Sequence, residues 1–140
     1  MTMHRRPLGR GRRLAALAAL VIAVGCLLPW WQFGGGDGLP TRTGNGFDGS
    51  GILVILSALA TIFLVALPYA TDRPVAVDRA LSYVGVLAVG VIGLLLRAWD
   101  LFSVGALALP DRAPGLWLAA LGLVLLARAA YDVARDRAYR

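Results

Sequence analysis

The chain has 140 residues, which allows one domain, and 59% of them are hydrophobic, above the roughly 45–50% of soluble domains. All fourteen basic residues are arginines and all eight acidic ones aspartates, for a net charge of +6. The arginines lie between apolar blocks rather than along one solvated face, so the positive charge does not describe a nucleic-acid surface. The single cysteine, Cys26, excludes an internal disulfide and a cysteine-based zinc site. The absence of lysine and glutamate, with abundant Ala, Gly, Leu and Val, points to a GC-rich bacterial genome.

Four runs contain no charged residue: residues 14–31, 52–69, 80–96 and 115–127. The first three are close to the roughly 20 residues that cross a ~30 Å hydrocarbon core as a helix. The fourth reaches that length if Arg128 snorkels and the helix continues to Tyr131. In lipid every backbone amide must be bonded within its own segment, so helices are expected. As buried helices of a soluble protein, four such runs would leave almost no polar face. The expected fold is an all-α membrane protein, a four-transmembrane-helix bundle in one integral membrane domain. Its spans are placed near residues 14–31, 52–69, 80–98 and 114–131, with an exported loop over 32–50.

The first run begins after a basic segment containing Arg5, Arg6, Arg10, Arg12 and Arg13. Such a start resembles a secretory signal peptide, and Ala23, Val24, Gly25 and Cys26 resemble a lipidation box. The apolar run nevertheless continues through Leu27, Leu28 and Pro29 to Trp30 and Trp31, and cleavage would leave an odd number of spans. An uncleaved helix is expected. Ala15, Ala19 and Ala23 recur at four-residue spacing along it, a pattern that lets helix backbones approach closely.

The loop that follows contains Gly44, Asn45, Gly46, Phe47, Asp48 and Gly49, which fits the dinucleotide pattern G-x-G-x-x-G. That fingerprint requires a strand before it, a helix opening from it and an acidic residue about 20 positions later. Here a turn-rich loop precedes it and the middle of a span follows, so the match fails on context. Asp37 and Asp48 are weak candidates for calcium, which needs only oxygen ligands. The simpler reading is a turn-rich connector in which Asp48 or Ser50 caps the second span.

Leu28, Pro29 and Trp30 after the first span, and Asp48, Gly49, Ser50 and Gly51 before the second, carry a resemblance. The first half of the chain resembles a widespread group of small four-span bacterial membrane proteins, common in actinobacteria. The resemblance implies the same four-span fold and brings no activity with it.

The second run carries Ser57 and Thr61 one turn apart, a possible polar stripe for which helix–helix hydrogen bonding is the simpler use. The third carries Gly85, Gly90 and Gly93 as further packing positions. Arg97 and Asp100 follow it at i,i+3, an expected interfacial ion pair. Residues 101–110 are apolar but too short to span. Asp111 and Pro114 read as start signals for the fourth helix, whose tail places Arg128 with Asp132, and Asp136 with Arg140, at i,i+4.

Orientation follows from the arginines. With the N-terminus inside, eleven fall in cytoplasmic segments, against Arg42, Arg97 and Arg112 outside. Trp30, Trp31, Trp99 and Trp117 then become anchors at the outer interface, and Tyr69, Tyr83 and Tyr131 at the inner one. Both termini are placed in the cytoplasm and the protein in the plasma membrane. His4 is the only histidine, and no paired carboxylates lie within the runs, so no catalytic residue, metal site, cofactor or enzyme activity is expected. The expected partners are the lipid bilayer and another membrane protein or a second copy. The leading reading is an accessory or scaffold subunit, beside an oligomeric channel or small-solute transporter and an envelope sensor.

Overall fold

The computed structural model describes residues 9–70 and 80–138. Among these the chain forms four helices, α1 (Arg10–Leu27), α2 (Ile52–Ala70), α3 (Ala80–Ser103) and α4 (Pro114–Ala138). Two short strands, β1 (Trp31–Phe33) and β2 (Arg42–Gly44), and a 3₁₀ turn at Gly49–Gly51 lie between α1 and α2. Arg5, Arg6, Arg73, Arg79, Arg140 and His4 lie outside the described residues.

Three helical segments are long and apolar enough to cross a membrane: Gly49–Ala70, Ala80–Ser103 and Pro114–Asp136. α1 differs because it opens on Arg10, Arg12 and Arg13, so its apolar part begins at Leu14. It also ends at Leu27 rather than continuing to Trp31. Pro29 has no amide hydrogen and disfavours helical backbone in the residue before it, and Leu28 is accordingly extended. α3 runs further than the apolar run suggested, to Ser103, so the first part of the 101–110 segment is helix. α4 begins at Pro114, whose fixed φ suits a first helical position, and continues through the polar tail to Ala138.

α1 and α4 form the most extensive helix contact. Their seams repeat at alternating spacings of four and three residues, the period that keeps one face on a partner helix. On α1 the buried seam is Gly11, Ala15, Ala18, Ile22 and Gly25; on α4 it is Gly115, Ala119, Gly122, Leu126, Ala129 and Val133. A Cβ on Gly11 would meet Val133, and one on Gly25 would lie 2.6 Å from the Ala119 amide nitrogen, so the helices run antiparallel in backbone contact. Small residues gain van der Waals contact here that larger ones would block.

α3 packs on α2 in the same way, with Gly90 against Ser57 and Gly93 against Leu53. α1 also touches α2, and α3 touches α4, which closes a ring of neighbours. One end of this ring gathers the end of α1, the start of α2, the end of α3 and the start of α4. The opposite end gathers Arg10, Arg12, Arg13, Arg128 and Arg135.

Candidate functional site

The 31–51 strap sits on the first of these ends and begins with β1 and β2 paired antiparallel, Trp31 opposite Gly44 and Phe33 opposite Arg42. Gly34 enters the connecting turn at a φ of 82°, where a Cβ would also meet the Pro40 carbonyl. Only glycine takes that position without strain. The sequence reading expected an irregular connector and missed this hairpin.

The base of the hairpin is locked to the helices. Trp30 is fully buried, and its indole N–H donates to the Gly25 carbonyl at 2.8 Å. Its backbone N–H donates to the Gly44 carbonyl at 2.7 Å, while Gly46 N–H donates to the Cys26 carbonyl at 2.9 Å. Gly115 N–H, in the first turn of α4, donates to the Pro29 carbonyl at 3.0 Å. The bonds to Gly25 and Cys26 satisfy carbonyls left orphaned where α1 ends. Leu28, Pro29 and Trp30 thus form a junction between α1, the hairpin and α4.

The G-x-G-x-x-G match takes on a structural reading. A strand does precede it, as β2, but that strand pairs antiparallel within a hairpin. Gly46 is pressed against Cys26 and Trp30, and its amide is spent on Cys26. Asn45 Oδ1 accepts from Phe47 N–H at 3.1 Å, a local turn bond. Gly49, at a φ of 58°, turns the chain into the helix of α2. The amides of Gly46, Phe47 and Asp48 are thus all spent inside the protein.

Asp37 and Asp48 do not come together. Asp37 lies in the hairpin turn at a φ of 53°, and Asp48 lies beyond the other end of the strands. Three paired residues separate these positions, about 10 Å of strand. Asp48 precedes the 3₁₀ turn in the capping position but makes no side-chain cap bond, contrary to expectation. A cavity of about 260 Å³ lies beside it, lined by Leu27, Pro29, Thr43, Gly44, Asn45 and Asp48.

The buried polar atoms around this strap favour donors over cation ligands. Trp31 Nε1, Ser50 Oγ and Arg97 Nε are buried without a hydrogen-bond partner. Trp31 Nε1 and the Asp48 carboxylate both crowd Gly44, and the Arg97 guanidinium lies over Gly49. An indole N–H thus lies near the Asp48 carboxylate and a guanidinium over the next residue, groups that donate hydrogen bonds and offer a cation no lone pair. Arg97 sits six residues before the end of α3 and reaches the strap, so it forms no ion pair with Asp100 among the described residues. The expected pair of Arg128 with Asp132 is present at 3.4 Å.

Ser57 and Thr61 are both buried, yet neither bonds across helices. Ser57 Oγ donates to the Val54 carbonyl at 2.7 Å and Thr61 Oγ1 to the Ser57 carbonyl at 2.8 Å, within α2 itself. Of the expected packing residues, Ala15, Ala19, Gly90 and Gly93 are buried and Ala23 partly so. Gly85 is exposed, with nothing near the position of its missing Cβ. The sequence reading missed Gly11, Gly25, Gly115 and Gly122, whose heptad spacing was the available signal.

Trp30, Trp31, Trp99 and Trp117 gather at the strap end, and Tyr69, Tyr83 and Tyr131 at the other. Trp99, Trp117, Tyr69 and Tyr131 are exposed, and Trp117 Nε1 donates to the Ala108 carbonyl at 3.0 Å. Trp30 and Tyr83 are instead buried inside the protein, where their rings fill space between helices rather than reach the surface. Compared with protein-family models, curated proteins and solved structures, the chain matches none.

Proposed function

We propose that the chain is a non-enzymatic four-span protein of the bacterial plasma membrane, with both termini in the cytoplasm, that serves as an accessory or scaffold subunit. The resemblance of its first half to small four-span bacterial proteins agrees with this reading. α1 completes the spans, because its seam with α4 runs from Gly11 to Gly25 and its short apolar part is extended by the Leu28–Trp30 junction. Cleavage before Cys26 would strip α4 of that partner, which favours an uncleaved helix. The end rich in arginine faces the cytoplasm under the positive-inside bias, and the hairpin strap is then exported.

The observation that carries the scaffold reading is the outward face of α3. It buries the smallest share of the three apolar segments and exposes Leu81, Val84, Ile92, Leu95 and Trp99. Gly85 lies on this face with open space above it, so a second helix can approach the backbone there. Gly90 and Gly93 are consumed by α2 and α4 and offer nothing to a partner. A polar pathway is not supported, since Ser57 and Thr61 spend their hydroxyl protons within α2.

The test compares the wild type with Gly85→Leu after extraction in mild detergent and cross-linking in native membranes. The wild type should hold a stoichiometric membrane partner or a second copy. Gly85→Leu should lose at least about tenfold of that association with unchanged helicity. Solute flux through the wild-type protein reconstituted alone would overturn the reading in favour of a pore.

A further inference from the structure

We propose that the groove between the start of α1 and the end of α4 binds the phosphodiester headgroup of an anionic phospholipid. The groove is a cavity of about 480 Å³ open to the surface. Arg10, Arg13 and Arg128 converge on it from two helices, with Asp132 as the single acidic group among its lining residues. Three cations against one anion leave a local excess of positive charge that suits a phosphate. Asp136 lies nearby, its carboxylate 3.8 Å from where a Cβ on Gly9 would stand, at the rim rather than in the lining.

The site is partly organised before any ligand arrives. Asp132 holds Arg128 Nη2 at 3.4 Å, and the Arg128 guanidinium lies 5.5 Å from the centre of the Tyr131 ring. These contacts bias the exposed arginine toward the groove and leave its other N–H donors for a phosphate. Arg10 and Arg13 are exposed and form no ion pair among the described residues. Their first partner is therefore whatever enters the groove.

Leu14, Leu17 and Leu125 complete the lining, and they decide between a free phosphate and a lipid. Each lies further toward the middle of its helix than the arginines, so the groove is cationic at its mouth and apolar beyond. Leu17 is 51% exposed there, an apolar wall that a soluble anion would leave uncovered. A phospholipid meets both parts at once, headgroup on the guanidiniums and acyl chain on the leucines. The inference rests on the membrane reading, and the experiment separates the two.

Native mass spectrometry of the protein from nanodiscs that mix phosphatidylglycerol with phosphatidylcholine reads the retained lipid directly. Incorporation into pure phosphatidylcholine discs reports on the membrane reading alone. The wild type should retain phosphatidylglycerol about tenfold over phosphatidylcholine. The triple variant Arg10→Gln/Arg13→Gln/Arg128→Gln should lose that preference, and Arg42→Gln/Arg112→Gln at the opposite end should keep it. A wild-type measurement guards against misfolding: a photoactivatable phosphatidylglycerol should label residues 10–17 and 125–132. Even labelling along the chain, an unaltered preference in the triple variant, or full displacement by inorganic phosphate would each overturn the proposal.

Discussion

Trp30 is the largest fully buried side chain of the protein, and its indole N–H closes onto the carbonyl of Gly25 in the last turn of α1. Replacing it with alanine opens a cavity at the meeting point of α1, the hairpin and α4, and frees that carbonyl. Trp30→Ala should cost about 3–5 kcal/mol, whereas Leu39→Ala on the exposed hairpin turn should change stability by less than about 0.5 kcal/mol. Reversible unfolding in detergent micelles distinguishes the two, and equal losses would show that the junction does not hold the fold. The same residue marks a boundary of legibility. A tryptophan after an apolar run reads as an interface anchor, and nothing in one sequence reveals that Pro29 turns it inward. The surroundings of Asp48 are illegible for a comparable reason, because the donors near it come from Trp31 and, over the next residue, from Arg97 on distant α3. Millimolar calcium should leave the melting temperature unmoved in both the wild type and Asp48→Ala; a shift present only in the wild type would show that the strap does hold the ion.

The elements divide by how local their signals are. Four uncharged apolar runs become four helices, since length and hydropathy are properties of a single segment. Helix ends are less legible: α1 stops early at Pro29, and α3 runs on past Arg97 because nothing after Trp99 breaks it. The hairpin was not legible at all. Its strands have three residues each, show no alternating pattern and are paired by the converging ends of α1 and α2. Packing positions fall between these cases, since Gly85, Gly90 and Gly93 look alike in sequence and only the structure separates them. That difference is measurable. A Cβ at Gly115 would stand 2.6 Å from the Gly25 carbonyl oxygen, backbone that cannot move aside. Gly115→Ala should therefore destabilise by about 1–3 kcal/mol, while Gly85→Ala should be neutral or gain up to about 1 kcal/mol from helix propensity. If both cost the same, the α1–α4 seam is not as close as described.

On the scale of the whole molecule, the ring of helices sorts its charges and aromatics by end. Arg10, Arg12, Arg13, Arg128 and Arg135 share one end with Tyr69, Tyr83 and Tyr131, and the four tryptophans share the other with the hairpin. This sorting depends on antiparallel neighbours, because only then does the start of α1 meet the end of α4. Under the proposed four-span arrangement it also makes orientation a single binary question, since reversing the protein would carry the basic end across the membrane against the bias that retains arginines in the cytoplasm. With Cys26→Ser as background, a cysteine at Thr41 in the hairpin and one at Ala134 near the end of α4 probe the two ends separately; both positions are exposed. Only the Thr41 cysteine should react with an impermeant thiol reagent in intact cells, and the Ala134 cysteine should react after the membrane is opened. The reverse pattern would invert the topology while leaving the bundle intact. Labelling of both in intact cells would show that the basic and aromatic ends are not separated by a bilayer, and the four-span reading would fall with it.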